Sequence, residues 1–208
     1  MVRASYSQSS HRVYSVCVYC GSSMGRLDLY AAAARAVAKA LVDRDIRLVY
    51  GGAGVGIMGA VADEVLRLGG QAVGVIPESL ARREVAHRSL TELHVTQNMH
   101  ERKMLMATLS DAFIALPGGI GTLEEIFEIW TWAQLGIHEK PCGLLNVNGY
   151  FDPLISFLDR AVTEQFVRPA VRSLLFVESA PEQLLSRLGG QRRQCGGTPH
   201  LRETDSKT

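Results

Sequence analysis

Leu116-Pro117-Gly118-Gly119-Ile120-Gly121-Thr122-Leu123-Glu124-Glu125 follows a short apolar run, Ala112 to Leu116, and opens a helical run reaching about Leu135. The stretch reads as strand, glycine turn, helix. Glycines at 118, 119 and 121 let the backbone approach a ligand closely or adopt positive φ. Thr122 is expected to cap the helix, whose first turn then carries Glu124 and Glu125, acids that suit the positive end of the macrodipole. Unpaired N–H groups at such a terminus suit a phosphate, although a tight, well-capped turn would look the same without any chemical duty.

Working outward, the same unit recurs. Val13 to Tyr19 is β-rich and ends in Cys20-Gly21-Ser22-Ser23, followed by the alanine-rich helical run Asp28 to Arg44. Ile46 to Tyr50, the glycine loop Gly51-Gly52-Ala53-Gly54-Val55-Gly56, and helix Ile57 to Leu68 form the second unit, closed by Gly69-Gly70. Strand Gln71 to Ile76 ends at Pro77, and the polar segment Glu78 to Ser89 reads as a loop with at most a short helix. Strand Glu92 to Val95 leads into helix Met99 to Ser110 and so into the opening stretch. Strands Cys142 to Asn146 and Leu174 to Val177 follow, with helix Phe151 to Phe166 between them and helix Pro181 to Leu188 after them.

Strands alternating with helices in this way predict an α/β fold: a doubly wound, Rossmann-like parallel sheet of about seven strands with helices on both faces. The expected layout is a disordered tail over 1–12, one domain over 13–188, and a disordered polar, glycine-rich tail over 189–208. In such sheets ligands bind outside the carboxyl ends of the strands. Ser22, Gly51 to Gly56, Pro77 to Glu84 and Pro117 to Glu125 all leave strand carboxyl ends and therefore share one edge.

With 208 residues, 47% of them hydrophobic, the chain can build one sizeable core. A net charge of +1 offers no general attraction for nucleic acid or an anionic membrane, so neither is expected as a partner. The Ser-rich stretch Met1 to Arg12 has no apolar core of a signal peptide, and a cytoplasmic location is the simplest expectation. Cys17, Cys20, Cys142 and Cys195 are too few and too scattered for a disulfide framework, and no Cys/His cluster completes a metal site.

Two further motifs carry possible chemistry. Gly54-Val55-Gly56-Ile57-Met58-Gly59 matches the dinucleotide fingerprint, with Glu78 near the place of a ribose-binding acid, but it follows the second strand and shares the crevice with another glycine loop. A mononucleotide site built from several loops fits at least as well. In helix Met99 to Ser110, Arg102 and Lys103 stand in the expected first turn, where the macrodipole disfavours positive charge. They are read as ligands for an anion or a leaving group. His100 is read as a structural hydrogen-bonder rather than a catalyst, and His87, His94 and His138 have no motif around them.

Met99-His100-Glu101-Arg102-Lys103 together with the pattern Pro-Gly-Gly-x-Gly-Thr-x-x-Glu over Pro117 to Glu125 resembles the LOG (Lonely Guy) family of phosphoribohydrolases, often mislabelled lysine decarboxylases. The likeness extends through Cys20-Gly21-Ser22-Ser23, Tyr50-Gly51-Gly52, Gly56-Ile57-Met58-Gly59, Gly74-Val75-Ile76-Pro77, Thr131-Trp132-Ala133-Gln134-Leu135-Gly136 and Gly143-Leu144-Leu145-Asn146. Ala53 stands where many members have a third consecutive glycine.

The resemblance implies hydrolysis of the N-glycosidic bond of a cytokinin riboside 5′-monophosphate, releasing cytokinin base and ribose 5-phosphate; some relatives also accept AMP. It implies Arg102 and Glu125 as the catalytic pair, and a substrate site of Glu84, Arg102, Lys103, Gly118, Gly119, Ile120, Gly121, Thr122, Leu123, Glu124 and Thr131. It further implies no cofactor, no metal and a homodimer, for which Trp130, Trp132, Leu135 and Ile137 form an apolar group larger than one core stripe requires.

These residue types suit that chemistry, since departure of the base leaves an oxocarbenium-like ribose that a carboxylate stabilises. Glu124 competes with Glu125 for the role, but adjacent helical residues point about 100° apart, so one at most faces the site squarely. The alternatives are an NAD-binding oxidoreductase and a non-catalytic nucleotide-binding protein. A lysine decarboxylase ranks below both, because no lysine stands out as the anchor of a cofactor such as PLP.

Overall fold

The computed structural model describes residues 13–81 and 85–190. In chain order the elements are β1 (Ser15–Tyr19), α1 (Asp28–Val42), β2 (Arg47–Tyr50), α2 (Gly56–Arg67), β3 (Ala72–Pro77) and α3 (Glu78–Ala81). They continue with β4 (Glu92–Thr96), α4 (Met99–Thr108), β5 (Ala112–Ala115), α5 (Ile120–Gln134) and β6 (Cys142–Leu145). The last are α6 (Asp152–Thr163), α7 (Pro169–Arg172), β7 (Leu175–Glu178) and α8 (Pro181–Gly190).

All seven strands pair in parallel, in the order β4-β3-β2-β1-β5-β6-β7. The expected doubly wound sheet is therefore observed. The chain lays strands outward from β1 to β4, returns across the sheet through α4, and resumes at β5 on the other side of β1. β1 and β5 flank the topological switch point, where open α/β sheets bind their ligands.

Strand alternation sorts the two faces. Val16, Val18, Leu48, Tyr50, Ile114 and Leu116 face one core with α1, α2 and α8. Cys17, Tyr19, Val49, Phe113 and Ala115 face the other with α4, α5, α6 and α7. Because both faces are covered, β1 and β5 are buried throughout, which explains their unbroken apolar runs.

The element boundaries follow local chemistry. α1 stops at Val42, two residues before the expected end, because Asp45 takes a left-handed φ of 56° and Ile46 N–H turns back to the Leu41 carbonyl. α8 runs two residues beyond the expected domain boundary at 188, through Gly190. The short helix α7 was not expected; a Pro-initiated turn of four residues carries no readable period. Residues 1–12 and 191–208, expected as tails, and Arg82, Arg83 and Glu84 lie outside the described residues.

Candidate active site

The loops after β1 and β5 interlock at the switch point. Gly21 N–H donates to the Pro117 carbonyl at 3.2 Å, and a Cβ on Gly118 would meet Gly21 N at 2.8 Å and Thr122 Oγ1 at 2.1 Å. Only a glycine at 118 lets the two loops lie against each other.

The cap of α5 differs from expectation. Gly119, extended at φ −92° and ψ −154°, is the N-cap, so Ile120, Gly121 and Thr122 belong to the first turn and Glu124 and Glu125 to the second. Thr122 is buried against Gly118 instead of capping. Among the described residues no side chain caps the helix, so its first N–H groups find no partner there beside the exposed Gly119, Ile120 and Gly121. An uncapped helix start with a glycine lip has the free N–H groups that suit an anion.

α4 supplies the cation. Asn98 caps it by accepting the Glu101 N–H at 3.0 Å, while Glu101 reaches back to accept the N–H of Gln97, the residue before the cap, at 2.9 Å, an arrangement close to a capping box. Glu101 thus fills the acidic first-turn position, and Arg102 and Lys103 begin the second turn, not the first as expected. Their inward direction comes from α4 packing on β3. Arg102 Nε donates to the Val75 carbonyl at 3.0 Å, and its Nη1 lies 3.0 Å from Glu125 Oε1.

The Arg102 and Glu125 side chains are only 9% and 11% exposed. Burial pushes the Glu125 pKa above the ordinary carboxylate range; Arg102 opposes that push and the Glu124 charge adds to it. The net effect is a carboxylate that takes up a proton more readily than an exposed one. Glu124, its neighbour, is half exposed and sits 2.6 Å from Lys103 Nζ, which also contacts Glu128 at 3.0 Å. Burial alone would lower the Lys103 pKa, but those two carboxylates outweigh it and raise it. Lys103 therefore ties α4 to α5 and neutralises the rim.

Of the expected site residues, Arg102, Lys103, Gly118 to Glu124 and Glu125 come together at the switch point. Thr131 does not join them within the chain. It is exposed, donates to the Phe127 carbonyl at 2.7 Å, and lies about 17 Å down the helix axis from Ile120. Glu84 lies outside the described residues.

The dinucleotide fingerprint serves loop packing. Gly56, at φ +59°, lies so close to Ser22 that a Cβ would come within 2.3 Å of its carbonyl carbon, and Met58 N–H donates to the Gly21 carbonyl at 3.3 Å. The β1 loop thus occupies the start of α2, where a pyrophosphate would sit. Ala53 pairs with Ala86 in an isolated bridge, and Gly52 accepts the His87 N–H. His87 contacts Asp63 at 2.9 Å and His138 the Ile129 carbonyl at 3.0 Å, both structural uses. Cys17, Cys20 and Cys142 are buried free thiols, and among the described residues no three His, Cys, Asp or Glu side chains cluster as metal ligands.

A family model described as "Possible lysine decarboxylase" matches residues 58–188. A probable cytokinin riboside 5′-monophosphate phosphoribohydrolase of Oryza sativa subsp. japonica is 51% identical over 177 residues, covering 85% of this chain and 72% of the relative. A cytokinin riboside 5′-monophosphate phosphoribohydrolase of Rhodococcoides fascians is 54% identical over 164 residues, covering 78% of this chain and 83% of the relative. Among solved structures, the molybdenum cofactor binding protein of the phototrophic bacterium Rippkaea orientalis superposes with a TM-score of 0.64 at 20% identity, covering 86% of this chain and 96% of that one. At that identity the likeness is one of fold.

Proposed function

The chain belongs to the LOG family of phosphoribohydrolases, and from that premise we propose that it hydrolyses the N-glycosidic bond of cytokinin riboside 5′-monophosphates, releasing the free base and ribose 5-phosphate. The observation that carries the reading is the buried Arg102–Glu125 pair beside an uncapped helix start.

In this reading the 5′-phosphate rests on the free amides of Gly119 to Thr122, and the ribose lies over Glu125. As the bond from C1′ to the base nitrogen breaks, positive charge spreads over C1′ and the ring oxygen, and the Glu125 carboxylate stabilises it. Water then adds to C1′ and gives a proton to Glu125, whose raised pKa suits that task. The base, which leaves with the electron pair of the broken bond, takes up one proton from Glu125 or from solvent, so that free base, ribose 5-phosphate and an ionised Glu125 result. Arg102, a permanent cation, cannot supply a proton; it donates hydrogen bonds to the departing base or to the phosphate and keeps Glu125 ionised. Lys103 and Glu124 border the substrate. For Glu84 and Thr131 a substrate role rests on the family resemblance alone.

A homodimer fits the same reading. Trp130 belongs to the core, donating to the Val171 carbonyl at 3.0 Å, but Met104, Leu135 and Ile137 are exposed on or next to α4 and α5. A cytoplasmic setting is in keeping with three reduced, buried cysteines. No helix among the described residues is long and apolar enough to cross a membrane.

The test is release of free base from a cytokinin riboside 5′-monophosphate, with AMP and the unphosphorylated riboside in parallel. We expect kcat/KM for the riboside to be lower by at least about tenfold, the worth of one hydrogen bond to a charged group. Equal values for riboside and monophosphate would remove the phosphate anchor, and no release from any of the three would remove the hydrolase reading.

A further inference from the structure

The segment between β6 and α6 was not among the stretches expected to bear on function, yet it is built to deliver one side chain onto the glycine turn. Asn146 closes it from within: its Oδ1 accepts the Phe151 N–H at 2.8 Å and its Nδ2 donates to Asp152 Oδ1 at 2.7 Å. Inside this loop Asn148 and Gly149 take left-handed φ values of 50° and 70°. Asparagine tolerates that conformation and glycine takes it freely. The reversal carries Tyr150 back toward β5, and its hydroxyl donates to the Gly118 carbonyl at 2.7 Å.

The ring is held as well as the hydroxyl. Tyr30 meets it edge-on with centroids 5.7 Å apart, and Phe151 does so at 5.0 Å. Tyr30 in turn lies on Gly25, where a Cβ would come within 2.8 Å of the ring. The first turn of α1 and the loops after β5 and β6 thus meet at Tyr150.

The bond falls on a peptide that packing holds on one side only: Gly118 lies against Gly21 and Thr122, whereas a Cβ on Gly119 would find no heavy atom within 4 Å. The carbonyls on either side are engaged by other elements: Pro117 accepts Gly21 N–H at 3.2 Å, and Gly119 accepts Leu123 N–H at 3.2 Å. In a planar trans peptide the C=O of residue 118 and the N–H of residue 119 point in opposite directions. Fixing the Gly118 carbonyl therefore aims the Gly119 N–H, the first amide of the helix start.

We infer that Tyr150 is a positioning residue for phosphate recognition, its hydroxyl setting the Gly118–Gly119 peptide so that the amides of the turn face the 5′-phosphate. The inference rests on the reading of that turn as the phosphate anchor.

Tyr150→Phe keeps the ring and its packing and removes only the donor. In the full chain we expect kcat/KM for a nucleoside 5′-monophosphate to fall about three- to tenfold, the worth of one neutral hydrogen bond, with the change in KM and not in kcat. The inhibition constant of ribose 5-phosphate should rise by the same factor, while turnover of the unphosphorylated riboside stays as in the wild type. A purely structural role would reduce the active fraction, lowering kcat and leaving KM and the inhibition constant where they were; that result would overturn the inference. If the wild type discriminates monophosphate from riboside and Tyr150→Phe does so equally well, Tyr150 fails alone. If the wild type itself does not discriminate, the phosphate anchor fails and the inference falls with it.

Discussion

Arg102 is held at both ends of its guanidinium, by the Val75 carbonyl and by Glu125, and lies against Gly51. A Cβ on Gly51 would stand 2.4 Å from Arg102 Nη2 and 3.1 Å from Met58 Sδ. A buried ion pair of this kind gains little net stability over apolar packing, so its presence speaks for function more than for folding. Gly51→Ala should accordingly separate the two. The methyl group must push the pinned guanidinium aside, and a displacement near 1 Å costs up to about 10² in rate. We expect kcat/KM to drop by tenfold or more with the thermal midpoint within a few degrees of wild type; steady-state kinetics with a thermal melt decides it, and unchanged kinetics would contradict the placement of Arg102. Arg102, Glu125 and Gly118 were all legible in the sequence through their motif. The inward aim of Arg102 was not, because it depends on a β3 carbonyl 27 residues away in the chain. Thr122 was misread as the cap because glycines were taken as turn, whereas Gly121 is helical here and Gly119 is the N-cap.

Among the elements, α4 and α5 carry the chemistry, joined by Lys103 between Glu124 and Glu128. Both were readable as helices and the start of α4 was placed correctly, whereas the start of α5 was not; the cap formed by Asn98 with Glu101 shows why α4 begins where it does despite its cations. The four-residue helices α3 and α7 are too short to show a period, and the 3₁₀ turn Val147–Gly149 contains the left-handed Asn148 that no period reports. Sequence grouped Trp130, Trp132, Leu135 and Ile137 together; the fold divides them. Trp130 is 6% exposed and holds α7, whereas Leu135 and Ile137 are 65% and 63% exposed. With Met104 at 54%, these are large apolar side chains for a surface, and a second copy of the chain is the partner we expect them to meet. Light scattering at micromolar concentration should give twice the chain mass of 22.7 kDa, and Leu135→Glu combined with Ile137→Glu should shift it toward the monomer. A monomeric wild type would refute the dimer.

At the scale of the whole molecule, the winding of the sheet makes the site. Residues near 20, 51, 75, 102, 118 and 150 meet because β1 and β5 are neighbours although α1 through α4 separate them in sequence. The alternation of strands and helices foretold the doubly wound sheet and the shared edge, since both follow from local period and general rules of topology. What stayed hidden were the contacts between loops: the β1 loop lying over the fingerprint glycines, and Tyr150 reaching the Gly118 carbonyl 32 residues back. Such contacts have no local signature. Among them the fold selects Glu125, not Glu124, as the carboxylate opposite Arg102, and that selection is what the proposed mechanism depends on most. The direct test is turnover of a cytokinin riboside 5′-monophosphate by Glu125→Gln and Glu124→Gln, with folding followed by circular dichroism. Glu125→Gln preserves size and removes the charge, and we expect kcat to fall by about 10² to 10³, the worth of one transition-state interaction, with the fold retained; Glu124→Gln should cost far less. Near-wild-type turnover by Glu125→Gln, with activity lost in Glu124→Gln, would contradict it.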